Sequence, residues 1–364
     1  MMTVEHNSEN ITWVSPPSET ILRIIYEKEI NLCHFGKSIG LSTEGLSNLL
    51  YDKIDLTEDL AFHLSKVLGG TKVFWLQRYE QFKNSLQASN QLVLSDNFQF
   101  LESLSKIRST SVDCLLDDFR VSTFENLIVE YLNSPQILYS KSQSIEPSPE
   151  KIANWVRECE KIAEKKVLSY PIPLFSAEKL NDSIGEILSL TKINHVEKII
   201  SNLKTILTKA GVLLVLSPNE SGSGVSGFTK TLLKKYRLVV VTDRYKNNAA
   251  FWFTLLHELA HCILHSITHP IIHYSDDEFI LASLETENIK EEIEANKFVD
   301  DILFTREMMR DLVKASKSYM GIIRLGVKYD FSTALLVAQI HRKKISPYSH
   351  YRKVFRKVEF NDIF

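Results

Sequence analysis

Two histidines and a glutamate with the spacing HExxH occur in FWFTLLHELAHCILH, residues 251–265. The segment contains no Pro or Gly and its centre is rich in Leu and Ala, so we expect it to form a helix. On a helix, His257 and His261 lie one turn apart on the same face, where both imidazoles can reach one Zn²⁺. Glu258 points beside that metal and can take a proton from water. The spacing therefore predicts the metal centre of a zinc hydrolase.

The residues around this motif are apolar on nearly every other side of the helix. Thr254, His257, Glu258, His261 and His265 share one polar stripe, and the other positions are almost all apolar. Such a helix is expected to be buried, and its polar stripe then needs partners. HExxH alone is only suggestive, so a pair of histidines in a core or on a surface stays open as the alternative. We expect His265 to lie around the metal or on the surface rather than to bind the ion.

A catalytic zinc that keeps an open position needs a third protein ligand. The long metzincin motif is excluded, because Leu264 and Ile267 occupy the positions where it requires Gly and His. A better source is IKEEIEANKFVDDILF, residues 289–304, which has the apolar periodicity of an amphipathic helix. Acidic clusters on helices are usually solvated, so the periodicity does not indicate which glutamate would bind the metal.

The combination of HELAHCILH, EEIEANKF and the preceding TDRYKNNAAFWFTLL resembles the ImmA/IrrE family of zinc metallopeptidases. The family's second element is a glutamate three residues before an Ala-Asn pair, which is Glu292 in this chain. The resemblance implies one zinc per chain, held by His257, His261 and Glu292, with Glu258 as the general base. The chain departs from the family after this element, where it has VDDILFTR in place of a small residue followed by Leu-Leu-Met-Pro.

Asn296 lies one helical turn after Glu292 and on the same face. Its side-chain oxygen could accept the outer N–H of a ligating histidine, an interaction that fixes the tautomer and the orientation of the ring. The alternative is a plain polar position on the surface.

The glycines of GSGVSG, residues 222–227, satisfy the pattern GxGxxG after the strand-like GVLLVLS. A dinucleotide-binding fingerprint needs a helix after its glycines. Here only FTKTLLKK separates them from the β-branched run YRLVVVTD, so we predict three strands within 211–243, with NESGSG as a connection. The free edge of a strand beside the zinc helix could pair with an extended substrate, and an ordinary hairpin is the alternative.

Helix-period apolar residues also fill the amino-terminal region, where they are broken near residues 39–42, 55 and 69–70. This pattern fits a helix-turn-helix in which Ser42 caps the second helix. The region resembles the Xre-like domain of antitoxin and phage-repressor type, including its closing segment GGTKVFWLQ. The recognition helix would then extend from about Ser42 to Tyr51.

The charge of this region does not favour DNA strongly. Between residues 18 and 55 there are four basic and six acidic side chains, so the strong positive field that phosphate contacts require is missing. A domain that only dimerises or docks a partner protein is therefore the alternative to DNA binding. The candidate DNA contacts are Ser42, Thr43, Ser47, Asn48 and Lys53. A second basic region is the tail, where Arg342, Lys343, Lys344, Arg352, Lys353, Arg356 and Lys357 could face nucleic acid or an acidic partner.

The composition is that of an ordinary globular chain. Its 364 residues are 44% hydrophobic and 24% charged, with a net charge of −2, which gives no overall attraction to nucleic acid or membrane. Cys33, Cys114, Cys159 and Cys262 form no CxxC pair, so we expect reduced, buried thiols. The start of the chain does not resemble a signal peptide and no apolar run reaches the length of a membrane span, so we expect a cytoplasmic protein.

We expect a multidomain fold, mainly α with a small β-sheet. Residues 1–90 would form the Xre-like helix-turn-helix domain, and residues 91–180 a helical connector broken by SKSQSIEPSPE. Residues 181–315 would form an α+β, zincin-like metallopeptidase domain around the HExxH helix. Residues 316–364 would add a C-terminal helical subdomain with the basic tail.

The function expected from these features is zinc-dependent hydrolysis of a peptide bond. By resemblance the substrate would be a regulatory protein, such as a transcriptional repressor or an antitoxin-like protein. DNA and a second copy of the chain are further partners that the sequence leaves open. Two alternatives stand beside this expectation: a non-catalytic transcription regulator or antitoxin that uses the zinc fold as a sensor or scaffold, and an RNA or nucleotide hydrolase, for which the sequence offers no phosphate-binding loop. Arg244, Tyr245 and His273 are candidates for stabilising the oxyanion.

Overall fold

The computed structural model describes most of the chain. The described residues are 15–96, 98–121, 124–131, 149–219, 225–267, 270–273 and 286–361. They are mostly helical with a small mixed sheet, as the sequence predicts. None of the helices among them is long and apolar enough to span a membrane.

The chain divides into two compact units. Unit 1 comprises Met1–Val129 and Lys165–Pro171, and unit 2 comprises Glu130–Glu164 and Ile172–Phe364. The separate metallopeptidase and C-terminal domains expected from the sequence both lie within unit 2. Both regions belong to one unit because they share one hydrophobic cluster, which contains Leu255 of the HExxH helix together with Leu335 and Ile340 near the C-terminus.

Unit 1 begins with seven helices, several of which start at a polar cap. Asn31 accepts the backbone N–H of Cys33 at 3.0 Å, Ser42 accepts that of Gly45 at 3.1 Å, and Thr57 accepts that of Leu60 at 3.3 Å. The helices are α1 Pro17–Glu27, α2 Leu32–Ser38, α3 Thr43–Leu50, α4 Glu58–Val67, α5 Lys72–Asp96, α6 Phe98–Arg108 and α7 Val112–Asp118. The helix expected between Ser42 and Tyr51 is therefore confirmed as α3.

Two further helices, α8 Phe124–Tyr131 and α9 Pro149–Ser169, each contribute residues to both units. The start of α9 lies at the predicted PSPEKIANW, whereas residues 132–148, with most of the polar breaker segment, lie outside the described residues. The other helices of unit 2 are α10 Ala177–Asp182, α11 Ile184–Ser189, α12 Val196–Lys209, α13 Asn248–Leu264, α14 Thr286–Leu303, α15 Arg306–Ala315, α16 Tyr319–Lys328 and α17 Thr333–Arg342. Short 3₁₀ turns occupy Leu190–Lys192 and Arg352–Val354.

A four-stranded sheet forms the centre of unit 2. Its strands are β1 Val212–Ser217, β2 Gly227–Leu232, β3 Tyr236–Thr242 and β4 Ile271–His273, in the spatial order β1-β3-β2-β4. The first three are the predicted strands. β1 is parallel to β3, while β2 is antiparallel to both β3 and β4. The β2–β3 connection is a tight hairpin, and β4 occupies the other side of β2 at Gly227–Thr229.

The two faces of the sheet contact different helices, because successive side chains of a strand point to opposite faces. On β2, Thr229 contacts the HExxH helix α13, whereas Phe228 and Lys230 contact α9 through Trp155 and Glu160. The sheet therefore packs between α13 and α9.

The four cysteines are free thiols. Cys33, Cys159 and Cys262 are buried as expected, but Cys114 is exposed. The expectation of burial is wrong for Cys114 because it lies in the short helix α7, of which only Leu115 is buried.

Candidate metal centre

The helix predicted around HExxH is α13, and its start is fixed by a side-chain cap. Asn247 accepts the backbone N–H of Ala250 at 2.9 Å, and the helix then continues without a break to Leu264. His257 is 3% exposed, and Glu258 and His261 are fully buried. Burial of this polar stripe makes partners obligatory, since buried polar groups without hydrogen bonds or ligands are costly.

Helix α14 brings Glu292 to both histidines. Glu292 Oε2 lies 3.0 Å from His257 Nε2, and Glu292 Oε1 lies 3.3 Å from His261 Nε2. The two Nε2 atoms are 3.0 Å apart, and one ligand atom from each of the three residues lies within 4.8 Å of the others. All three residues are buried. Two imidazole nitrogens and a carboxylate that converge in this way form a donor set suited to zinc.

Glu258 lies next to this group but has a different partner. The Thr229 hydroxyl on β2 donates to Glu258 Oε2 at 2.7 Å. The strand begins with Gly227, and an added Cβ there would lie 3.0 Å from Glu258 Oε1. Close approach of β2 therefore orients the carboxylate that the sequence assigns as general base. Sequence reasoning missed Thr229, because nothing in the spacing links that residue to a helix that begins nineteen positions later.

His265 lies close to His261, as one of its two expected locations requires. The Nδ1 atoms of His261 and His265 are 3.0 Å apart, and His265 Nε2 lies 3.3 Å from Glu294 Oε2. Burial, together with the neighbouring His261, lowers the pKa of His265 from its ordinary value.

Asn296 forms a different hydrogen bond from the one that the sequence suggested. Its side-chain oxygen accepts from Arg342 Nη2 at 3.4 Å, which ties α14 to α17. Asn296 also lines the cavity beside His257. Its contact with a ligating histidine stays a prediction.

A cavity of about 530 Å³ opens beside His257. His257 lies in its wall, and much of the remaining surface is apolar or aromatic, including Phe253, Val299 and Phe355. One end is cationic, because Arg342 and Lys343 both line it. Asp300 pairs with these two cations at 3.1 and 2.6 Å, so a single carboxylate balances two positive charges.

The opposite face of β2 carries a buried ion network. Lys230 pairs with Glu160, and Arg157 lies 3.0 Å from Glu160 and 2.6 Å from Glu164. Burial alone would raise the pKa of Glu160, but Lys230 and Arg157 hold it below its ordinary value. The two positive and two negative charges balance, which is the condition under which buried charges are tolerated.

Other side chains near the site are less suited to chemistry. Burial raises the pKa of Cys262 to about 12, so its thiol stays protonated and is a poor nucleophile. Among the proposed oxyanion groups, Arg244 stacks on Tyr245 with 5.0 Å between the guanidinium carbon and the ring centre. Tyr245 lines the cavity beside His257. The side chain of His273 lies outside the described residues.

The candidate DNA contacts lie on and after α3 in unit 1, and most of them have partners there. Ser42 and Thr43 are exposed, although the Ser42 hydroxyl caps α3, whereas Ser47 is 6% exposed. Asn48 accepts a hydrogen bond from Arg120, and Lys53 pairs with Asp117 at 3.3 Å. Contact of Asn48 or Lys53 with DNA would require these interactions to be broken, and Ser47 would have to become exposed.

The basic tail is also partly neutralised. Arg342 and Lys343 pair with Asp300, and Lys357 pairs with Glu359 at 2.6 Å. Arg356 donates to the neutral Asn194 and keeps its charge. The segment folds back on the start of α13, where the Arg356 carbonyl accepts the Asn248 N–H at 3.0 Å. The tail therefore supports the start of α13.

Residues 208–341 match the family model of the IrrE N-terminal-like domain, Peptidase_M78. The matched region contains the sheet, α13 and α14, and with them His257, Glu258, His261 and Glu292. This match indicates a zinc metallopeptidase-like domain. No curated protein and no solved structure matches the chain significantly.

Proposed function

We propose that unit 2 is a zinc-dependent endopeptidase. His257, His261 and Glu292 hold one zinc ion, and Glu258 acts as the general base. The observation that carries the proposal is the convergence of the three ligand atoms within 4.8 Å beside a fully buried carboxylate with a separate hydrogen-bond partner.

The chain's own residues would divide the chemistry between binding and proton transfer. When bound, zinc supplies Lewis acidity toward water and toward the peptide carbonyl. Glu258 accepts the proton of the attacking water and returns it to the amine that leaves. The Thr229 hydroxyl keeps that carboxylate in place, since it donates to the oxygen Oε2.

The cavity beside His257 is large enough to take a side chain of a polypeptide substrate. Its volume of about 530 Å³ lies within the usual range for ligand pockets, about 300–1,000 Å³. Apolar walls such as Phe253 and Phe355 suit a side chain of the substrate. By its resemblance to the ImmA/IrrE family, the chain would cut a regulatory protein of repressor or antitoxin type.

For unit 1 we propose a helix-turn-helix-type module that recruits a partner. The contacts of Asn48 with Arg120 and of Lys53 with Asp117 favour docking of a protein or self-association over direct DNA contact through these residues. DNA binding would have to break those contacts, at a cost in the free energy of binding.

A regulator that binds zinc without cutting is the rival function. A structural or sensing zinc needs ligands only, so it offers no reason to bury a non-ligating carboxylate beside them. The fully buried Glu258 therefore favours the enzyme.

The first experiment is elemental analysis of the purified chain and three variants. We expect one zinc per chain in the wild type and in Glu258→Gln, and its loss in His261→Ala and Glu292→Ala. Zinc that persists in Glu292→Ala would overturn the ligand assignment.

The second experiment tests cleavage. Cells that express either the wild type or Glu258→Gln are compared by mass spectrometry for new protein N-termini. Termini that require Glu258 identify the substrate. Identical sets of termini, in chains that both hold zinc, would favour the regulator.

A further inference from the structure

We propose that His265 and Glu294 are positioning residues that set the zinc affinity of the site by holding the imidazole of His261. The inference deepens the proposed function and rests on its metal centre. It concerns neither a further ligand nor the general base.

The geometry determines which nitrogen of His261 faces the metal side. Its Nε2 lies 3.0 Å from His257 Nε2 and 3.3 Å from Glu292 Oε1, so Nε2 is the atom directed at the ion. A neutral imidazole that offers Nε2 to a metal carries its hydrogen on Nδ1. The atom 3.0 Å from Nδ1 is His265 Nδ1, which must therefore accept.

The same reasoning continues to the surface of the protein. Because His265 Nδ1 accepts, its hydrogen lies on Nε2, which faces Glu294 Oε2 at 3.3 Å. The side chain of His265 is 5% exposed, whereas that of Glu294 is 46% exposed. Glu294, His265 and His261 thus form a hydrogen-bond chain in which His261 Nδ1 donates to His265 and His265 Nε2 donates to Glu294.

The two helices that carry the proposed zinc ligands, α13 and α14, also carry the residues of this hydrogen-bond chain. His265 ends α13, and its backbone N–H donates to the His261 carbonyl at 3.0 Å, so one residue restrains both the backbone and the ring of the ligand. Glu294 lies two positions after Glu292 on α14. Movement of α14 would therefore change the ligand and its support together.

Partners of this kind typically change metal affinity by about 10- to 100-fold when they are removed. We expect His265→Leu to raise the zinc dissociation constant by an amount in that range. His265→Gln should recover much of the affinity, since its amide oxygen can accept from His261. Glu294→Gln should have a smaller effect, because its amide oxygen can still accept from His265 Nε2 and the residue is partly exposed and acts only through His265.

The experiment is competition for zinc between the full-length protein and a chelator of known affinity. The metal-free thermal midpoint of each variant separates loss of support for the ligand from loss of fold. His195→Leu and Glu197→Gln are matched controls, since both residues are exposed and lie on and just before α12.

The expected result is a higher zinc dissociation constant for His265→Leu at an unchanged metal-free thermal midpoint. His265→Gln should restore most of the zinc affinity. Glu294→Gln should add nothing in the His265→Leu background, because coupled residues are not additive. Wild-type affinity in both His265→Leu and Glu294→Gln would overturn the inference and leave the metal centre intact. Should His265→Leu fail to fold, Glu294→Leu, which removes the acceptor of His265 Nε2, decides by the same measure, and wild-type affinity in that variant would overturn the inference. A wild-type chain that binds no zinc would overturn the proposed function as well.

Discussion

Gly227→Ala should destabilise unit 2, because β2 and α13 leave no room for a side chain at the start of the strand. An added Cβ would lie 2.6 Å from the Val240 carbonyl oxygen and 3.0 Å from both Glu258 Oε1 and Thr254 Cγ2. The first of these atoms belongs to the backbone of the neighbouring strand β3, which cannot move without disturbing the pairing of β2 with β3.

The size of the effect follows from two opposed contributions. Overpacking a well-filled interior costs about 1–3 kcal/mol. Replacing Gly by Ala also restricts the unfolded chain, which offsets about 0.4–1 kcal/mol of that cost. Since the position has three close contacts at once, we expect the free energy of unfolding to fall by about 2 kcal/mol.

The control is Gly185→Ala in helix α11, where no heavy atom of the described residues lies within 4 Å of the added Cβ. Alanine is the better helix former by about 0.5–1 kcal/mol, so this variant should be more stable than the wild type. Denaturant unfolding of the metal-free proteins, followed by circular dichroism and Trp fluorescence, measures both changes. Equal or stabilising effects of the two substitutions would refute the argument from close packing.

Three further predictions concern the buried charges, the metal and the thiols. Lys230→Met removes a cationic partner of the buried Glu160 carboxylate, so the free energy of unfolding in denaturant should fall by about 3–5 kcal/mol. The pKa of Glu160 in the folded protein is below 4.5, so the stability that its charge contributes is present above pH 4.5 and is lost as the pH falls through the folded pKa. The free energy of unfolding of Glu160→Gln should therefore decrease less steeply with falling pH than that of the wild type. Zinc at 100 times its dissociation constant should stabilise the wild type by about 2.7 kcal/mol, seen as a higher thermal midpoint, and should leave Glu292→Ala unchanged. Iodoacetamide at pH 8 should alkylate Cys114 rapidly in the native protein but not Cys262, whose pKa is about 12; rapid labelling of Cys262 under native conditions would contradict its burial.

The candidate metal centre was largely recognisable from the sequence because its main signal is local. Two histidines four positions apart share a helix face by the geometry of the helix alone, and the absence of Pro and Gly made the helix itself predictable. Glu292 lies on a second helix, so its proposed role as a ligand came from the resemblance of its surroundings to a known family. The three strands between residues 211 and 243 were also predictable, since β-branched runs separated by turn residues favour strands.

Partners across large distances in the chain were not predictable from spacing. Thr229 contacts Glu258, and His265 contacts Glu294, only because the sheet and α14 pack on α13. The hydrogen bond between Arg120 and Asn48 likewise depends on how α7 and the residues after it lie on α3. No periodicity within a single helix specifies such a contact.

Local patterns in the amino-acid sequence were enough to predict the elements and the chemistry that they could carry: the zinc-type spacing on α13, the acidic helix α14 and the helical character of unit 1. The environment of each group depends instead on how the elements pack. That packing places Gly227 where no side chain fits and buries Ser47 on the predicted recognition helix. The physical reason is one of range. Helix and strand preferences depend on neighbours within a turn or two, whereas burial and hydrogen-bond partners depend on the packing of residues that are far apart in the chain.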